Sequence, residues 1–128
     1  MARILIVDDD AAIRDTLYEV FEGEHFCHVA ETAEKALQFL DTEIYDVVLT
    51  DISMPGMSGL ELLGHVRQHH PMTPVIVISG ISDQEYAQGM IKMGAFDYML
   101  KPFHIEKIEA TVSNAIEHHQ RLSDEHRK

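Results

Sequence analysis

The chain is poor in three things, and each shortage removes a class of function. It has a single cysteine, Cys27, so no internal disulfide can staple it. Cys27 sits in the apolar run of Phe26, His28 and Val29, where a small packed hydrophobe is preferred to a reactive thiol. Cations are scarce: 10 Lys and Arg face 22 Asp and Glu, a formal net charge of -12. Such a field repels phosphate backbones and anionic membrane surfaces, which argues against direct nucleic-acid binding by this segment. Long apolar runs are missing too. The stretch from Ile4 to Val7 is too short for a signal-peptide core and runs straight into three aspartates. Nothing in it directs the chain into a membrane, and the cytoplasm is the expected location.

What is present suits one globular core. A domain of 128 residues buries about two thirds of the surface its unfolded chain exposes, so it needs neither metal nor disulfide merely to fold. With 45% hydrophobic and 25% charged residues, the composition also argues against disorder. No internal repeat or low-complexity linker divides it.

Short β-branched runs alternate with helical patterns five times, the signature of βα units and a parallel sheet. The predicted strands are Arg3–Val7, Phe26–Ala30, Asp46–Thr50, Val75–Ser79 and Asp97–Leu100. The first, third and fourth are nearly continuous apolar runs, as expected of central strands covered on both faces. Ile13, Leu17, Val20 and Phe21 form one stripe of a first helix, with Gly23 as its stop. Ala36, Leu37 and Leu40 mark a second helix, and Leu62, Leu63 and Val66 a third that ends near Pro71. Ser82 with Glu85 reads as a capping box opening a fourth, closed by Gly94, and Ile105, Ile108, Val112 and Ile116 define a fifth. Residues 1–120 then form the domain. Residues 121–128 are a polar tail, fraying or continuing as solvated helix, and are read as the possible start of a linker.

In an open parallel sheet, ligands bind beyond the carboxyl ends of the strands, where the strand order reverses. Asp8, Asp9 and Asp10 follow the first strand, Asp51 the third, Ser79 ends the fourth and Lys101 follows the fifth. In the order 2-1-3-4-5, Asp8, Asp9 and Asp51 converge on one crevice. Three carboxylates there cannot all stay ionised without a cation. Oxygen ligands in this number suit Mg²⁺ better than a softer metal. Lys101 is then a charge for a phosphate oxygen and Ser79 a hydroxyl donor. Asp10 is read as the N-cap of the first helix and left out of the site.

The pair Asp8-Asp9, the segment from Asp51 through Met54-Pro55-Gly56-Met57 to Gly59, Ser79-Gly80, and the run from Gly94 to Phe103 together resemble the receiver domain of bacterial two-component signalling. The similarity extends from Arg3 to about Ile116, and the run from Gly94 to Phe103 resembles receivers attached to transcriptional activators of the nitrogen-regulator class. It implies a doubly wound, flavodoxin-like α/β fold with helices on both faces of a five-stranded parallel sheet. It also implies a regulatory phospho-acceptor module, not a dedicated enzyme, that assists its own phosphoryl transfer and dephosphorylation. Asp51 would take a phosphoryl group from a histidine kinase or phosphotransfer protein. Mg²⁺ would be held by Asp9, Asp51 and the backbone carbonyl of Ser53, with Asp8 acting through water. Ser79 and Tyr98 would be the switch pair, and Lys101-Pro102 a cis peptide. The signal would leave through the fourth helix, fifth strand and fifth helix, toward an output domain or partner, with a phosphorylation-linked homodimer as one possibility. Two departures, Ser58 where many relatives have aspartate and a serine as switch hydroxyl, leave the chemistry intact.

Three rival readings are weaker. A haloacid-dehalogenase-type phosphatase needs a second aspartate two residues after its nucleophile, and Ser53 stands there. A flavodoxin-like nucleotide binder needs a phosphate-cradling loop after the first strand, where three aspartates repel phosphate. A degenerate scaffold is disfavoured because every reactive position is filled. The nine histidines are read as solvated: His69-His70 and His118-His119 are adjacent pairs, and adjacent helical residues point apart.

Overall fold

The computed structural model describes residues 1–127. Its elements are β1 (Arg3–Val7), α1 (Ala11–Phe21), β2 (Phe26–Ala30), α2 (Ala33–Thr42), β3 (Val47–Asp51), α3 (Gly59–His69), β4 (Val75–Ser79), α4 (Gln84–Lys92), β5 (Asp97–Leu100) and α5 (Ile105–Arg127). The five strands pair in parallel in the order β2-β1-β3-β4-β5, as the sequence predicts. Four strands match their predicted bounds; β3 lies one residue later, so Asp51 is its last residue rather than the first beyond it.

Period-2 alternation explains why the sheet has two covered faces. Leu5, Val7, Val48, Val75 and Val77 point to the side packed by α2, α3 and α4, through Ala36, Leu40, Leu62, Val66 and Met90. Ile4, Ile6, Val47, Leu49, Ile76 and Ile78 point to the side packed by α1 and α5, through Leu17, Phe21, Ile108, Val112 and Ala115. Most of these strand residues have no exposed surface at all, and each large aliphatic buried this way contributes roughly 1.5–3 kcal/mol.

Side chains set where the helices start. The Asp10 carboxylate accepts the Ala12 N–H at 2.9 Å and caps α1. Thr32 caps α2 through the Lys35 N–H, and Ser58 and Glu61 form a reciprocal capping box on α3. At α4 the predicted Ser82–Glu85 box does not form. The Asp83 carboxylate accepts the N–H groups of both Glu85 and Tyr86, at 2.8 and 3.3 Å, and the helix begins one residue later; a charged acceptor outcompetes the hydroxyl. Gly94 closes α4 with φ +105°, a left-handed conformation that suits glycine. Gly23 follows α1 without a positive φ. The polar segment from 121 continues α5 as helix to Arg127; its last residue, Lys128, lies outside the described residues. Among the described residues, no helix is long and apolar enough to cross a membrane.

The histidines are less uniformly solvated than the sequence predicts. His119 is buried, with Nδ1 2.8 Å from an Asp46 oxygen, and His28 Nδ1 lies 2.7 Å from the Tyr45 hydroxyl. Cys27 is partly buried, and burial pushes its thiol pKa up to about 11, as expected of a side chain used for packing.

Candidate acidic site at the carboxyl end of the sheet

Parallel register brings the strand tips level. Val7 of β1 pairs with Thr50 of β3, Asp51 with Ile78 of β4, and Ser79 with Leu100 of β5. The residues at or just beyond those tips are therefore neighbours, although Asp8 and Lys101 are far apart in the chain.

Asp8 is buried. One of its oxygens accepts the Asp10 N–H at 2.9 Å, and the other accepts Lys101 Nζ at 3.0 Å. Asp51, also buried, accepts the Ile52 N–H at 2.8 Å on one oxygen and lies 3.2 Å from Lys101 Nζ on the other. Asp9 is exposed, and carboxylate oxygens of Asp8, Asp9 and Asp51 all lie within 4.8 Å of one another. Burial raises the Asp8 pKa, and the negative charge of Asp51 adds to this against the Asp10 N–H and Lys101. For Lys101, burial works against the charge, but the bond to Asp8 and the charges of Asp8 and Asp51 outweigh it and raise the pKa.

The loop after β3 is tied down by its glycines. A Cβ on Gly59 would stand 1.8 Å from the Asp51 carbonyl oxygen, so only glycine lets α3 start this close to the strand tip, and its N–H binds the Ile52 carbonyl at 2.9 Å. Gly56 has φ +77°, and its Cβ would sit 2.6 Å from a Glu34 oxygen; that oxygen accepts the Met57 N–H at 3.3 Å. Ser53 is exposed within this loop, two residues past Asp51.

Ser79 and Tyr98 form a separate unit beside the carboxylates. The Ser79 hydroxyl oxygen accepts the Ile81 N–H at 3.1 Å, while the Tyr98 hydroxyl donates to the Ile81 carbonyl at 2.7 Å. Both side chains thus hold one residue of the β4–α4 loop. The sequence alone did not single out Ile81, Glu34 or Arg14, whose Nη1 donates to the Asp8 carbonyl at 2.7 Å. Their roles depend on loop geometry that residue type does not signal. The peptide between Lys101 and Pro102 is cis, as the resemblance implies.

Three carboxylates against one ammonium leave unbalanced negative charge. A donor set of hard oxygens, too few to close a shell, fits a Mg²⁺ ion that keeps positions open for water and phosphate oxygen. Residues 4–113 match the family model of the response regulator receiver domain. The chain belongs to that family. This receiver domain is 45% identical over 116 residues to the DNA-binding transcriptional regulator NtrC of Klebsiella pneumoniae, covering 90% of the chain and 25% of that protein. Among solved structures, the receiver domain of Francisella response regulator 1452 superposes with TM-score 0.86 at 31% identity, covering 91% of this chain and 98% of that one. NtrX from Brucella abortus, solved in complex with ATP, superposes with TM-score 0.89 at 32% identity, covering 96% of this chain and 28% of that one. The chain spans about a quarter of the length of the curated relatives it matches. It is a receiver domain of the kind found in two-component response regulators, a regulatory module with an acidic pocket at its strand tips.

Proposed function

We propose that Asp51 is the phospho-acceptor and that the domain switches conformation when it is modified. The observation that carries this is the placement of Asp51, a buried carboxylate within 4.8 Å of two others and 3.2 Å from Lys101 Nζ. Its carboxylate oxygen attacks the phosphorus of a phosphohistidine on a histidine kinase or phosphotransfer protein. The new O–P bond gives an acyl phosphate as the P–N bond breaks, and the electron pair returns to the imidazole, which takes up a proton. Asp9, Asp51 and the Ser53 carbonyl would hold Mg²⁺, with Asp8 acting through water. When bound, the ion neutralises charge on the transferring group. Lys101, aligned by its bond to Asp8, pairs with a phosphoryl oxygen. The same groups assist hydrolysis of the acyl phosphate.

The shared grip on Ile81 supports the switch. A phosphoryl group on Asp51 offers strong acceptor oxygens that draw the Ser79 hydroxyl away from the Ile81 N–H. The Tyr98–Ile81 bond then loses its fixed partner, and Tyr98 turns inward. The change reaches the face of α4, β5 and α5, where Ile91, Leu100 and Ile105 are exposed, and passes to an output domain, a partner or a phosphorylation-linked second copy. The relatives' description as DNA-binding regulators supports a cytoplasmic output on transcription, with the DNA contact made outside this acidic segment.

Acetyl phosphate with Mg²⁺ should add one phosphoryl mass to the wild type and none to Asp51→Asn. Equal modification of the variant would overturn the assignment. Beryllofluoride should change hydrogen exchange mainly in residues 80–106, less so in Ser79→Ala; changes confined to the loop after Asp51 would remove the switch.

A further inference from the structure

The last two turns of α3 carry a second cluster of metal-competent side chains. It lies away from the carboxylates, because α3 begins beside Asp51 and its eleven residues carry the chain about 15 Å toward the other end of the sheet. His65 and His69 are four residues apart and share one face of the helix. Their ring centroids lie 4.4 Å apart with planes at 39°, and the ring of His70 lies 6.5 Å from that of His65. His69 is exposed, and His65 and His70 are half-exposed. Among the described residues, His25, His28 and His119 have hydrogen-bond partners for their ring nitrogens, whereas none is found for these three. Their nitrogens are free to meet a ligand.

We propose that His65 and His69 form a chelating pair for a borderline divalent transition ion such as Ni²⁺, Zn²⁺ or Cu²⁺, with His70 flanking and water filling the remaining positions. Two imidazoles one helical turn apart are the arrangement that presents both rings to one ion. Imidazole suits Zn²⁺, Cu²⁺ and Ni²⁺, whereas Mg²⁺ prefers oxygen. The chain therefore has two cation sites that differ in donor chemistry: carboxylates at the strand tips and imidazoles at the far end of α3. The adjacent pair His69-His70 cannot chelate by itself, since neighbouring residues point apart. The missing partner is His65, one turn back. The net charge of -12 raises the local concentration of any divalent cation.

Amide spectra of the isotope-labelled chain, recorded during a NiCl₂ titration in saturating MgCl₂, test the pair while Mg²⁺ occupies the carboxylates. Paramagnetic broadening should centre on residues 65–70. It should persist in Asp51→Asn, and His65→Ala and His69→Ala should each weaken the Ni²⁺ affinity by about tenfold or more, the order that losing even a supporting group costs at a metal site. Both positions are solvent-accessible, and metal-free spectra that superpose away from α3 check that the variants fold. Broadening centred on residues 8–10 and 51–53, or on other histidines, would overturn the proposal. Affinity unchanged in both histidine variants would do the same.

Discussion

The two ends of the sheet handle their carboxylates in opposite ways. At the amino end, both oxygens of Asp46 are matched: one accepts the Arg3 N–H at 2.8 Å, and the other lies 2.8 Å from His119 Nδ1 on α5. At the carboxyl end, Asp8 and Asp51 each accept one backbone N–H, but among the described residues they share a single cation, Lys101, while Asp9 adds a third negative charge beside them. The first arrangement contributes to stability and the second forgoes some of it. Unbalanced charge at a strand tip points to function because it persists only where a ligand completes it.

The largest effect on this contrast is expected from Gly59→Ala. Its new Cβ would collide with the Asp51 carbonyl, 1.8 Å away, and backbone on both sides must move. The expected loss is about 3 kcal/mol or more in urea unfolding, together with loss of phosphorylation. A loss under about 1 kcal/mol, the ordinary size for a point substitution, would show that the strand tip yields more easily than the packing implies.

His119→Ala breaks the balanced end instead. It leaves the Asp46 carboxylate with the Arg3 N–H alone, and unfolding free energy should fall by about 1–3 kcal/mol while Asp51 still takes phosphate. The site would not be independent of the far end if phosphorylation failed in a folded His119→Ala protein.

Acid sharpens the comparison with a smaller effect. Burial alone would raise the Asp46 pKa, but the His119 hydrogen bond, the Arg3 N–H and the nearby positive charges outweigh it and hold it below the usual carboxylate value. A carboxyl whose folded pKa lies below its unfolded value of about 3.9 stabilises the fold fully above that value. The contribution is lost as pH falls through the folded pKa. Urea midpoints measured below about pH 4 should therefore drop with acid less in Asp46→Asn than in wild type. Parallel slopes would mean that other carboxylates dominate acid unfolding.

Much of this contrast was legible in the sequence, for identifiable reasons. The apolar runs of β1, β3 and β4 marked the strands, and placing β1 beside β3, as in the order 2-1-3-4-5 that the receiver resemblance implies, brought Asp8, Asp9 and Asp51 together. Lys101 reaches Asp8 across 93 residues, which strand order conveys and local pattern does not. The shifts at β3 and α4 are of a single residue, where Asp83 competes with Ser82 for the same backbone donors. The sequence predicts a solvated His119 because adjacent helical residues such as His118 and His119 point apart and make no shared chelating face. Its partner Asp46 lies 73 residues away, and periodicity tells which face a residue occupies but not what meets it there. The Gly59 contact and the double hold on Ile81 were illegible for the same reason: both are loop-to-strand approaches set by backbone path.

We propose that the carboxylates at the strand tips await a cation. Thermal melts with and without Mg²⁺, on wild type, Asp9→Ala, Asp51→Asn and His119→Ala, test it most directly. At Mg²⁺ about ten times its dissociation constant, a ligand that binds only the folded state adds about 1.4 kcal/mol, a shift of a few degrees. Wild type and His119→Ala should show that rise and the two aspartate variants little or none; an equal rise in all four proteins would contradict the claim.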